Sequence, residues 1–242
     1  MATSIRKAID YSLYLVTDRR LAKGRTTLDI VRAAVQGGVT CVQLREKTCS
    51  TREFITEALA IREFLQARGI PLIINDRLDV AQAVGADGVH LGQSDMPLGL
   101  ARALVNDSML VGISVESLEK AVQAEAEGAD YLGIGPIYPT PTKTDAAAPL
   151  GLQGLRAIRH AVSLPLVGIG GLNLQNAAPV IQQGADGIAV VSAIVAAADP
   201  EQATRELRRE IIRARAGLDP HPPAFFRSAY RCAGDNLWIW DR

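Results

Sequence analysis

Gly85-Ala86-Asp87-Gly88-Val89-His90-Leu91, Gly128-Ala129-Asp130-Tyr131-Leu132-Gly133-Ile134 and Gly184-Ala185-Asp186-Gly187-Ile188-Ala189-Val190 are three copies of one junction. Each starts with a glycine where a helical pattern stops and passes through an aspartate into an apolar run of strand length. Glycine suits the left-handed turn that ends a helix, so all three read as helix-to-strand joints. One building block is being reused.

Outward from these joints the alternation covers most of the chain. Runs of strand length fall at 13–17, 39–44, 71–75, 88–91, 110–114, 131–135, 166–169 and 187–191. Helical periodicity marks 27–36, 51–67, 78–84, 97–105, 117–127, 152–161, 174–183 and 200–214. Eight successive strand-helix units predict an α/β fold, a (β/α)8 TIM barrel, with a doubly wound open sheet as the alternative. We expect one catalytic domain over 1–216 and a C-terminal extension of unknown role over 217–242.

With 242 residues, 48% of them hydrophobic and 21% charged, the chain can bury a large core. Its 26 basic residues balance 26 acidic ones, so no bulk charge attracts nucleic acid or an anionic membrane, and small-molecule substrates are the expected partners. No apolar stretch of signal-peptide length follows Arg6 and Lys7, and none is long enough to span a membrane, so a cytoplasmic location is expected. Cys41, Cys49 and Cys232 are odd in number and lack metal-ligand spacing, which argues against a disulfide framework or a zinc site.

In barrels of this kind chemistry gathers at the C-terminal ends of the strands. The second strand ends in Gln43-Leu44-Arg45-Glu46-Lys47. Alternation puts Gln43, Arg45 and Lys47 on one face and Leu44 and Glu46 on the other. An amide and two cations on one face suit a ligand with several anionic oxygens; the plainer reading is a solvated strand end. The third strand ends in Asn75-Asp76, and the fourth leads to Asp95. Two carboxylates brought to a common point repel unless a cation separates them, and magnesium suits such a pair. Alternatively each aspartate caps the helix that follows it. His90 reads equally as a satisfied barrel histidine or a substrate contact, and Ser114 as a phosphate contact or a cap.

The stretch 136–145 after the sixth strand is a long loop carrying hydroxyls and Lys143, functional or merely stiffened by proline. Gly170-Gly171 after the seventh strand and Ser192 after the eighth occupy the places where barrels bind a phosphate through backbone N–H groups. Two anionic sites on one mouth fit the joining of two phosphorylated substrates, one of which loses diphosphate.

These stretches, with Pro139-Thr140-Pro141-Thr142-Lys143 and Val191-Ser192-Ala193-Ile194, resemble the thiamine-phosphate synthase family in order over roughly residues 11 to 214. The resemblance implies condensation of 4-amino-2-methyl-5-hydroxymethylpyrimidine diphosphate with 4-methyl-5-(2-phosphoethyl)thiazole, or its carboxylated form, to thiamine monophosphate and diphosphate. It implies that Gln43, Leu44, Arg45, Glu46, Lys47, Asn75, Ser114 and Lys143 bind the pyrimidine diphosphate, with Arg45, Lys47, Ser114 and Lys143 catalytic. It further implies Asp76 and Asp95 on Mg2+, and Thr140, Pro141, Thr142, Gly171, Val191 and Ser192 on the thiazole phosphate. The related thiazole tautomerase has no use for the two aspartates or for three cations. A phosphate sensor would leave a metal or diphosphate position vacant, and a phosphosugar isomerase would not use the strand-two cations. The extension, with Phe225, Phe226, Trp238 and Trp240, could pack on the outer helices, form a subunit contact in a homo-oligomer, or remain a poorly ordered terminus.

Overall fold

A computed structural model describes residues 9–140 and 148–217. Eight parallel strands close in sequence order, β1 (Leu13–Val16), β2 (Cys41–Leu44), β3 (Leu72–Asn75), β4 (Gly88–Leu91), β5 (Leu110–Val115), β6 (Tyr131–Ile134), β7 (Leu166–Ile169) and β8 (Gly187–Val190), with β8 beside β1. Around them run α1 (Thr27–Gly37), α2 (Thr51–Gln66), α3 (Leu78–Val84), α4 (Leu98–Leu104), α5 (Leu118–Ala126), α6 (Gly151–Ala161), α7 (Ala177–Gln182) and α9 (Pro200–Ala216). The short α8 (Ser192–Val195) follows β8. The chain is a (β/α)8 TIM barrel, as the alternation predicts.

The structure explains the repeated junction. Gly85, Gly128 and Gly184 adopt φ of +62°, +88° and +99°, and the next residue's N–H returns to the helix just ended, as Ala86 does to the Ala81 carbonyl at 2.9 Å. The aspartate then turns its carboxylate onto an N–H in the first two residues of the preceding strand: Asp87 accepts from Leu72 at 2.8 Å, Asp130 from Val111 at 2.7 Å and Asp186 from Leu166 at 2.8 Å. That N–H lies at the start of a barrel strand and would otherwise be a buried donor without an acceptor. A fourth copy is disguised in Gly38-Val39-Thr40, where the Thr40 hydroxyl accepts from Leu13 N at 3.0 Å. The device therefore ties β1 to β2, β3 to β4, β5 to β6 and β7 to β8. Residues 39 and 40 belong to it, which is why β2 starts at Cys41 and not at 39.

Along α7 the expected start at 174 moves to Ala177. Asn176 accepts from Asn173 N through Oδ1 at 2.8 Å and donates to the Gly171 carbonyl at 2.9 Å, so 173–176 close as a side-chain-bonded turn in place of a first helical turn.

Two buried layers follow from strand alternation. Leu15, Val42, Leu44, Ile74, Val89, Leu91, Leu132 and Ile188 pack outward against the helices. Tyr14, Val16, Cys41, Ile73, Leu110, Tyr131, Val167 and Ala189 fill the interior. Polar side chains that share the interior parity, Gln43, Asn75, His90 and Ser114, must therefore find partners inside the barrel or face its mouth. Gly112 makes room there, since a Cβ on it would lie 2.1 Å from the Tyr131 ring. Tyr131 can thus reach across to β4 and β1.

Candidate active site

The barrel mouth holds a cavity of about 480 Å³. Gln43, Arg45, Lys47, Asn75, Asp76, Asp95, Ser114, Thr140, Gly171, Val191 and Ser192 all line it. Leu44 and Glu46 do not: strand parity turns Leu44 into the helical layer, and Glu46 accepts a hydrogen bond from Arg19 at 3.3 Å outside the cavity. Pro141, Thr142 and Lys143 lie outside the described residues, as does the extension beyond Gly217.

The floor is a chain of polar groups, much of which the sequence left hidden. Gln43 Nε2 donates to the Tyr14 hydroxyl at 2.9 Å, and the Tyr14 and Tyr131 hydroxyls lie 3.0 Å apart. Tyr131 meets His90 Nδ1 at 2.9 Å, and His90 Nε2 meets Ser114 Oγ at 2.9 Å. Five side chains from β1, β2, β4, β5 and β6 are thereby joined around the interior. His90 is bonded on both nitrogens, as a satisfied barrel histidine would be, and it also lines the cavity. Ser114 caps nothing, because α5 is capped by Ser117, which accepts from Lys120 N. Burial, together with the neighbouring phenols and Cys41, pushes Tyr14 and Tyr131 well above the ordinary tyrosine range, so both stay protonated. Tyr14 and Tyr131 escaped the sequence reading because strands buried on both faces are apolar throughout, which hides the inward parity.

The two aspartates are not helix caps. The α3 N-cap is Arg77 and the α4 N-cap is Pro97, and neither makes a side-chain cap bond. Asp76 adopts φ +61°, a left-handed conformation that aspartate tolerates better than most residues but that still costs about 1 kcal/mol. Its N–H continues the ladder to the His90 carbonyl at 2.8 Å, while its carboxylate accepts from Asn75 Nδ2 and pairs with the Lys47 ammonium. Asp95 accepts from Gly92 N at 2.7 Å. Burial pushes the Asp95 carboxyl up and the Asp76 carboxylate adds to this, against the pull of the Gly92 N–H and Lys47.

Two carboxylates thus converge where a second cation would be welcome, and their donors are all oxygen, which is the ligand chemistry of magnesium. Among the described residues no group of three or more His, Cys, Asp or Glu side chains could hold a metal. A pair of carboxylates alone would leave the other positions of such an ion to substrate oxygens and water.

Beside the carboxylates, Arg45 is fixed from below. Its Nη1 donates to Asp18 at 2.9 Å and its N–H to the Thr17 hydroxyl at 3.0 Å. Although burial works to raise it, hydrogen bonds from Arg20 and the charges of Arg20 and Arg45 hold the Asp18 carboxyl below the ordinary range. On the opposite rim, Gly171 has φ +66°, and a Cβ there would sit 2.6 Å from the Pro139 carbonyl. Only glycine lets the β7 turn pass so close to the loop after β6.

A parallel eight-stranded barrel with cations and paired carboxylates on one rim and a glycine turn with a short helix on the other has the form of a small-molecule enzyme, with its cavity at the C-terminal ends of the strands. A family model described as thiamine monophosphate synthase matches residues 13–194. The chain is 57% identical over 205 residues to the thiamine-phosphate synthase of Chloroflexus aurantiacus, covering 85% of this chain and 94% of that one. It is 57% identical over 199 residues to that of Albidiferax ferrireducens, covering 82% and 91%. Among solved structures, thiamine phosphate pyrophosphorylase from Pyrococcus furiosus superposes with a TM-score of 0.80 at 42% identity, covering 86% of this chain and 98% of that one.

The chain belongs to the thiamine monophosphate synthase family. It is an enzyme with thiamine-phosphate synthase activity, a transferase of thiamine biosynthesis. Among the described residues no helix is long and apolar enough to cross a membrane.

Proposed function

We propose that the enzyme joins 4-amino-2-methyl-5-hydroxymethylpyrimidine diphosphate to 4-methyl-5-(2-phosphoethyl)thiazole, or its carboxylated form, by a magnesium-assisted dissociative substitution. The observation that carries this reading is the division of one cavity into two anion-seeking rims. Arg45 and Lys47, with the Asp76–Asp95 pair, stand on one rim, and Gly171, Val191 and Ser192 on the other.

On this reading the diphosphate lies over Arg45, Lys47 and Asn75, with Lys143 as a further cation for it, and Thr140, Pro141 and Thr142 serve the thiazole phosphate. The bond between the methylene carbon and the diphosphate oxygen breaks, and its electron pair leaves with the diphosphate. The aminopyrimidine ring supports the resulting carbon cation, and the thiazole nitrogen forms the new bond to it; the carboxylated form would in addition release its carboxylate as CO2 to reach the same product. No protein nucleophile is needed, so the chain contributes position and charge. Arg45, held by Asp18, offers a pre-aimed fork of donors; Lys47 offers a mobile charge that can move from Asp76 to the leaving group. Asp76 and Asp95 would hold the metal, which when bound neutralises charge on the departing diphosphate. Gln43 and Ser114, fixed at the two ends of the tyrosine-histidine chain, present polar groups to the pyrimidine ring. The thiazole phosphate is held by backbone N–H groups at Gly171, Val191 and Ser192.

Mixing both substrates with purified protein tests the proposal. Diphosphate and thiamine monophosphate should appear in equal amounts, stop on chelation and resume when magnesium is restored. Undiminished turnover under complete chelation would remove the metal from the mechanism, and absence of product would remove the substrate assignment.

A further inference from the structure

Arg19 lies outside the cavity, in the loop after β1, yet it grips the segment that carries both cations of the diphosphate rim. Its Nε donates to Glu46 at 3.3 Å and its Nη2 to Glu57 on α2 at 2.7 Å. Glu46 stands between Arg45 and Lys47 in the chain, and its side chain is only 2% exposed. The neighbouring contacts are in register: Thr17 N donates to the Gln43 carbonyl at 3.0 Å, Arg45 N to Thr17 Oγ1, and Arg45 Nη1 to Asp18. An acidic residue on Arg45 is thus followed by a basic residue on Glu46. The far end of the same loop is anchored as well, since Lys23 Nζ donates to the Ala196 carbonyl at 2.7 Å and Arg25 Nη2 to that of Val195 at 2.9 Å. The grip therefore comes from a fixed base.

We propose that Arg19 is a positioning residue for Arg45 and Lys47: by holding Glu46 it fixes the diphosphate-binding arm before substrate arrives. The physical reason is the cost of a buried carboxylate without a cation. Burial and the adjacent Glu57 already push the Glu46 carboxyl up, and Arg19 opposes them. Without Arg19, two glutamates face each other and Glu46 either takes a proton or leaves its place. If it leaves, it carries Arg45 and Lys47 with it.

The diphosphate half of this inference rests on the proposed function; the grip itself does not. Two measurements keep them apart. Amide hydrogen exchange over 44–50 without any ligand reads the grip alone: it should be at least about tenfold faster in Arg19→Gln and return to near the parent rate in Arg19→Gln/Glu46→Gln, where no charge is stranded. Calorimetric binding of inorganic diphosphate to the folded full chain reads the consequence: affinity should fall about tenfold in Arg19→Gln and recover to within about threefold in the double variant. The loss should persist at about 0.5 M salt, where a mere change in surface field is screened. The KM for thiazole phosphate should not move. Unchanged exchange in Arg19→Gln, no recovery in the double variant, or a defect that vanishes in salt would each overturn the proposal. Failure of the parent protein to bind diphosphate, with the exchange result intact, would overturn the proposed function and leave the grip standing.

Discussion

Replacing Tyr131 by Phe removes one oxygen from the middle of the barrel's polar chain and leaves the ring that fills the space beside Gly112. The lost hydroxyl bonds Tyr14 at 3.0 Å and His90 at 2.9 Å, and Tyr131 is fully buried. Two buried groups then lose a partner, at about 1–3 kcal/mol each, so we expect a loss of about 2–6 kcal/mol. For a domain of this size each kcal/mol shifts the melting temperature by about 2–4 °C, which predicts a fall between about 4 °C and about 24 °C by circular dichroism. His90 should also hold Ser114 less firmly, lowering kcat/KM for the pyrimidine diphosphate by about tenfold, the equivalent of one hydrogen bond. An unshifted melting temperature with unchanged kinetics would refute the chain as a structural and positioning unit. It would mean that Tyr14 and His90 find other partners at no cost.

Alanine at Asp76 or Asp95 should lower turnover by at least about 100-fold, the scale of lost charge stabilisation, measured as diphosphate release at saturating magnesium; near-parent rates in both variants would break the metal assignment. Stability should fall steeply in alkali. Tyr11, Tyr14 and Tyr131 are raised chiefly by burial, so above pH about 10 the unfolded chain sheds phenolic protons that the folded chain keeps, and each tyrosine removes up to about 1.4 kcal/mol per pH unit. Ultraviolet titration should show these three ionising only on unfolding. In denaturant melts, Asp87→Ala should cost about 1–3 kcal/mol for the orphaned Leu72 N–H, and Asp130→Ala and Asp186→Ala more, because Arg102 and Arg159 each lose a carboxylate too. Equal small losses in all three would refute the junction's bonding role.

The sequence by itself determined the order of elements and hence the barrel, because helix stops, strand runs and turn glycines are local signals. It also located the mouth, since β2, β3, β5 and β8 hand their polar residues to the strand ends where charge breaks an apolar pattern. Short range is the reason these were legible. What it could not decide was the partner of each side chain. Asp76 and Asp95 could have been caps until Arg77 and Pro97 took those places. Glu46, adjacent to two cavity cations, belongs to Arg19 because one residue's step along the chain exchanges the inner face for the outer. Thr40 does the work of an aspartate, with only the glycine two residues before it shared with the other copies. Tyr14 and Tyr131 meet across 117 positions of sequence, and only closure of the barrel brings such distant hydroxyls within a hydrogen bond.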